Sequence, residues 1–281
     1  MNRGKVALPL FISLALVMCL SAGMAPAAFI TMIAQIIFMS TTKFTYTAEF
    51  LASIDRVISQ ERLSRYLAAT KGDIGKALEL YEYNIAISEA LFGFLHGLEV
   101  AVRNSIHYTL RRDLGTPTWY DGGVALPWST TGEALSLTAV MADMVTEAKA
   151  KLQPTALPGK VIAELTFGFW PNTLTKRFHS TLWLPSLHKA FPHATAPRSI
   201  IHLRLEVIRR LRNRIAHHEP ILTSHNEVYT GFKDQPYIAL SSILECVEWV
   251  SKDAALWLKA QSRYQWAVEL LLAVSKKGVT L

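Results

Sequence analysis

The residues best suited to chemistry form one run, Arg212-Asn213-Arg214-Ile215-Ala216-His217-His218-Glu219, closed by Pro220. A guanidinium keeps its charge at any working pH and suits a phosphate. Imidazole is the side chain whose ordinary charge change falls near neutrality. Together they are the parts that phosphodiester cleavage by transesterification needs. Arg212 would stabilise charge on a phosphorane-like transition state, and His217 would move protons to and from a ribose 2′-hydroxyl or the leaving oxygen. That chemistry calls for no metal and no other cofactor. His218 is an auxiliary candidate, as a second proton carrier or phosphate donor, and Glu219 as an orienter.

The same residues have a plainer reading. Cations and histidines in the last turn of a helix are favoured by the macrodipole alone, and His-His-Glu-Pro is an ordinary helix ending. Spacing does not choose between the two readings, and ribonuclease activity does not follow from it.

The element that carries the run is the most regular helix of the chain, Arg198 to His217, which Pro220 prevents from continuing. At about 100° per residue, Ile201, Leu205, Ile208 and Ile215 share one apolar face, and Glu206, Arg210, Asn213 and His217 share the opposite one. Arg212 projects close to the apolar stripe, about 140° from His217. A cation there needs an acid, because an unpaired buried charge is very costly. Glu99 is the candidate, with Arg103 one turn later in the favourable order. The expectation is that this helix packs on the stretch Glu89 to Leu114, with Glu99 near Arg212. That stretch carries Leu91, Leu95, Leu98, Val102 and Ile106 at three- and four-residue intervals, a stripe that demands a partner.

Helical spacing governs the rest of the body. It runs from Ala48 onward with breaks near Gly72 and Gly75, through Glu133 to Leu152, and through segments of Lys160 to Phe191. Ile238 to Val250 and Ala254 to Val274 are expected as two final helices. Residues 115–131, with Trp119, Tyr120 and Trp128, read as a long ordered loop. Strand-like alternation is scarce, so an all-α domain over 39–281 fits best. Trp170, Trp183, Trp249, Trp257 and Trp266 sit in apolar helical settings and are expected mostly in the core.

Residues 1–38 differ in composition, with Arg3 and Lys5 as the only charges ahead of long apolar runs. An over-extended start, a cleaved signal-like leader and a membrane anchor all fit such a segment. Charge supports a polyanionic partner: 29 Lys and Arg against 22 Asp and Glu leave +7. Arg209, Arg210 and Arg214 are the candidates to line an RNA path, although solvated helix faces carry such residues routinely. The two cysteines, Cys19 and Cys246, cannot build a disulfide framework, which suits a reducing compartment.

The nine residues from Arg212 to Pro220, with Leu211 before and Ile221 after, resemble the signature of the Abi-like (abortive infection) bacterial family of the HEPN superfamily. That pattern is an Arg, a polar residue, and a His after a spacer of four to six, as in Arg212, Asn213 and His217. Companion segments resemble the family in the same order: Arg62 to Leu67, Leu98 to Asn104, Trp119-Tyr120, and Phe167 to Trp170 leading to Trp183. The resemblance implies a HEPN-like helical bundle with additional helices that dimerises and cleaves RNA to a 2′,3′-cyclic phosphate without metal. Arg212, Asn213 and His217 would form the site, with two copies of the motif facing each other. It further implies phage defence or the toxin half of a toxin–antitoxin pair, an antitoxin protein as partner, and a cytoplasmic location. The alternative is a catalytically silent helical domain that binds RNA or protein, membrane-anchored through residues 1–38.

Overall fold

The computed structural model describes residues 47–221 and 236–276, so the segment 1–38 lies outside the described residues. These residues are mostly helical and include no strand; one isolated antiparallel bridge joins Ala125 to Ala134. The all-α expectation holds. The chain divides into two compact units, Met1–Tyr81 and Glu82–Leu281.

In the first unit, α1 (Ala48–Ile58) and α2 (Gln60–Ala69) are separated by one residue, Ser59, whose φ of 66° breaks the helical path. Its hydroxyl then accepts the Arg62 N–H, as an N-cap does. Leu63 and Tyr66 of α2 are buried, and the Tyr66 ring meets Tyr81 edge-on at 5.4 Å. The turn between α2 and α3 (Ile74–Leu114) is made by Thr70 to Asp73, with Lys71 and Gly72 at positive φ. The break expected near Gly75 is absent: Asp73 Oδ1 accepts the Lys76 N–H, and Gly75 lies inside the helix.

α3 is 41 residues long and crosses the boundary between the units. By length and composition alone it could cross a membrane. In the second unit its expected stripe is an inner face: Leu91, Leu95, Leu98, Val102 and Ile106 are each buried. Gly93 and Gly97, one turn apart, add a close approach. A Cβ on Gly97 would stand 3.1 Å from Leu258 Cδ1, and one on Gly93 would stand 2.9 Å from Arg263 Nη1. Each interior glycine weakens the helix by about 1 kcal/mol, and contact with the C-terminal helices offsets that loss.

The remaining helices are α4 (Ala139–Ala150), α5 (Pro158–Glu164), α6 (Phe169–Asn172), α7 (Arg198–Ala216), α8 (Pro236–Val250), α9 (Lys252–Lys259) and α10 (Ser262–Lys276), with short tight turns filling 176–190. α4 begins at Ala139, six residues later than the apolar spacing suggested, after the N-cap Thr138, whose hydroxyl accepts the Met141 N–H. The single helix expected over Ala254 to Val274 is two, divided at Ala260 and Gln261. α9 buries Ala255 and Leu258, which turns Trp257 outward at 65% exposure, and Trp266 of α10 is 42% exposed. Both depart from the expected core placement, whereas Trp170 and Trp249 keep it.

The loop after α3 is ordered by its aromatic residues. Trp119 and Tyr120 are buried; the Trp119 ring lies 6.0 Å from Phe169, which stands 5.1 Å from Trp170. Trp119 Nε1 donates to His107 Nδ1 of α3 at 3.2 Å, and Trp128 Nε1 donates to the Thr181 carbonyl at 3.0 Å. Two segments distant in sequence thus form one aromatic core beside α3.

Candidate active site

α7 is amphipathic as its spacing requires: Ile201, Leu205, Ile208, Leu211 and Ile215 are buried. It packs against α6 and α8, where Arg198 Nη1 donates to the Leu174 carbonyl and Arg204 Nη1 donates to Ser242 Oγ. Its Arg212 meets α3. Arg212 Nε stands 3.3 Å from Glu99 Oε2, with side chains 35% and 22% exposed. The acid expected for Arg212 is therefore the one beside it. Engagement through Nε leaves the outer guanidinium edge, with Nη1 and Nη2, available to an anion. Arg103 does not complete an i,i+4 pair with Glu99; its Nε donates to Asn104 Oδ1 at 3.4 Å.

The end of α7 is a Schellman closure. His217 is the C-cap, His218 lies in the left-handed region at φ 55°, the His218 N–H bonds the Ile215 carbonyl at 3.1 Å, and the Glu219 N–H bonds the Arg214 carbonyl at 2.8 Å. Glycine is the usual occupant of the left-handed position, because a Cβ there costs about 1 kcal/mol. A histidine in that place is a strained backbone at the motif itself. His217, His218 and Glu219 are all exposed, and Asn213 is half-buried one turn before His217.

Arg214 corrects the expectation that it lines an RNA path. It is 7% exposed, its Nε donates to the Pro220 carbonyl at 3.0 Å, and Glu219 Oε2 lies 3.7 Å away. The chain folds back over it after His217, which a straight helical wheel cannot show. Arg209 is held bidentately by Glu206, from Nε to Oε1 at 3.0 Å and from Nη2 to Oε2 at 2.9 Å. Arg210 is exposed. Of the three arginines proposed for RNA, Arg210 is the exposed one, with its Nε on the Glu206 carbonyl at 3.5 Å.

One positioning residue escaped the sequence. Asn84 of α3 is buried, and its Oδ1 accepts the Ile221 N–H at 2.8 Å, fastening the chain just past the motif. The available signal was an amide at core spacing with Ile87 and Leu91, since a polar group on an apolar stripe must find a partner.

Burial lowers the pKa of His107, with Arg111 adding to the effect, and burial likewise lowers that of His202. Both favour neutral rings and belong to the scaffold. Cys246, 0% exposed, has its thiol pushed up by desolvation. Among the described residues no group of three His, Cys, Asp or Glu side chains is arranged to hold a metal ion.

No protein-family model, curated protein or solved structure matches the chain.

Proposed function

We propose that this chain is an RNA endonuclease of the Abi-like, HEPN type. It cleaves by metal-independent transesterification, with Arg212, Asn213 and His217 at the site, in phage defence or as a toxin restrained by an antitoxin in the cytoplasm. The observation that carries the reading is a cation paired with an acid on a neighbouring helix, five residues before an exposed histidine pair whose second member, His218, is left-handed. The Schellman closure needs a left-handed residue at position 218, and a histidine rather than glycine in that place is what this reading takes as functional. In this reading Glu99 aims the guanidinium of Arg212 at a phosphate, and His217 exchanges the proton of the 2′-hydroxyl.

Arg212 and His217 diverge on α7, so a second copy of the motif would complete the cleft. α3 offers a face for such a dimer. Ile85 and Phe92, 51% and 52% exposed, follow the same helical stripe as Glu99 at three- and four-residue steps through Glu89 and His96.

A second reading rests on the same ion pair. If Glu99 serves only to neutralise Arg212, the chain is a silent helical domain that binds RNA or protein. Incubating the full chain and His217→Ala with RNA in excess chelator separates the two. Cleavage leaving a 2′,3′-cyclic phosphate, lost in His217→Ala, is expected. Equal activity in both, or a requirement for Mg²⁺, overturns the nuclease reading.

A further inference from the structure

The C-terminal end of α3 carries a concave surface, more than two turns beyond Glu99, the residue of this helix that meets Arg212 of α7. A groove of about 400 Å³ is lined by Tyr108, Arg111, Arg112, Gly115, Thr116 and Pro117. The first four follow the i, i+3, i+4, i+7 pattern and share one face of the last two turns. Tyr108 is 60% exposed, so its ring face is open to solvent beside the two arginines. Its base is firm: the ring stands 5.5 Å from that of His107, which Trp119 Nε1 holds by a hydrogen bond.

The cations are also organised. Arg112 Nε is bound to Asp113 Oδ1 at 2.6 Å, while Asp113 Oδ2 takes Ser186 Oγ at 2.9 Å and Lys189 Nζ at 3.0 Å. Asp113 is thus shared between Arg112, Ser186 and Lys189, and the Arg112 side chain remains 63% exposed. Arg111 is exposed beside it. Gly115 ends the helix at φ 70°, and a Cβ there would meet nothing within 4 Å, so the groove is open above it. The helix macrodipole favours cations at this end, but it does not account for an exposed ring and a concavity beside two arginines. An aromatic face next to two guanidinium groups is the chemistry that takes an unpaired base and its phosphate.

We infer that this groove is a single-stranded nucleotide subsite, in which a base stacks on Tyr108 and the adjoining phosphates meet Arg111 and Arg112. The inference rests on the reading that RNA is the ligand class, and it assigns a place where RNA is held apart from the residues that cut it.

The test is binding of a 2′-O-methyl oligoadenylate of about ten nucleotides, which this chemistry cannot cleave, to the full chain by fluorescence anisotropy. Tyr108→Ala should weaken binding roughly tenfold and Tyr108→Phe should restore it. Arg111→Ala and Arg112→Ala should each reduce the salt dependence by about one phosphate contact. Circular dichroism checks that these exposed substitutions leave the fold intact. Parent-like affinity and salt slope in Tyr108→Ala and both arginine variants overturn the subsite, as does a parent chain that binds no oligonucleotide. Because no cleavage is read, binding lost in these variants by a chain that never cuts RNA would support the subsite and sink only the nuclease reading. Unchanged binding by an active nuclease would do the reverse.

Discussion

Arg214 Nε donates to the Pro220 carbonyl at 3.0 Å, closing a ring of chain around the end of α7. The ring holds the two histidines in place from behind. Its donor is buried, and removing it leaves a carbonyl without that partner. Arg214→Ala should therefore destabilise the protein by about 2–3 kcal/mol. Arg210→Ala, on the solvent side, should stay within about 0.5 kcal/mol. Urea unfolding of the two variants checks the contrast, and similar midpoints would contradict the ring's role.

The Glu99–Arg212 pair is half-exposed, so water screens it and its contribution to stability is at most about 1 kcal/mol. Its contribution to positioning is larger in the proposed reaction. Glu99→Gln should lower the cleavage rate on the order of tenfold to a hundredfold while barely moving the unfolding midpoint. Loss of rate and stability in proportion would instead mark the pair as structural.

His218 at φ 55° makes the opposite prediction. His218→Gly relieves the left-handed strain, and even after the added freedom of the unfolded chain it should gain up to about 1 kcal/mol. Thermal unfolding should shift upward by about 2–4 °C. An unchanged or lower midpoint would show that the imidazole makes contacts worth more than the strain.

His107 is buried and neutral, and its Nδ1 accepts the Trp119 N–H. Its folded pKa lies below the ordinary 6.5, so the unfolded chain binds more protons as acidity increases. The stability contributed by the neutral ring is therefore complete above 6.5 and is lost as pH falls through the lowered value. His202 acts in the same direction. His107→Gln, which keeps an acceptor for Trp119, should show a flatter decline in urea midpoint between about pH 7 and pH 5. A decline as steep as the parent's would assign it to other groups.

Apolar spacing made most of the scaffold legible. The stripe from Leu91 to Ile106 and the face of Ile201, Leu205, Ile208 and Ile215 are buried as their periodicity requires. The cost of an unpaired cation beside an apolar stripe points from Arg212 to Glu99 by sequence alone, and the two are in contact. What spacing missed lies where the chain leaves a straight helix. The burial of Arg214 comes from a reversal after His217, and Trp257 is exposed because α9, ended at Ala260 with no proline or glycine to announce it, turns Ala255 and Leu258 inward instead. Asn84 was hidden for a different reason: its partner is a backbone N–H far along the chain, and side-chain patterns do not reveal such partners.

The motif is attached to α3 on both sides. Glu99 holds Arg212 ahead of the histidines, and Asn84 holds Ile221 behind them. Along an unbroken helix those anchor points are roughly 22 Å apart. α3 therefore works as a fixed gauge for the motif: the spacing of its two ends is set by a rod whose length changes little under thermal motion. A bend in α3 between Asn84 and Glu99 would move both anchors at once.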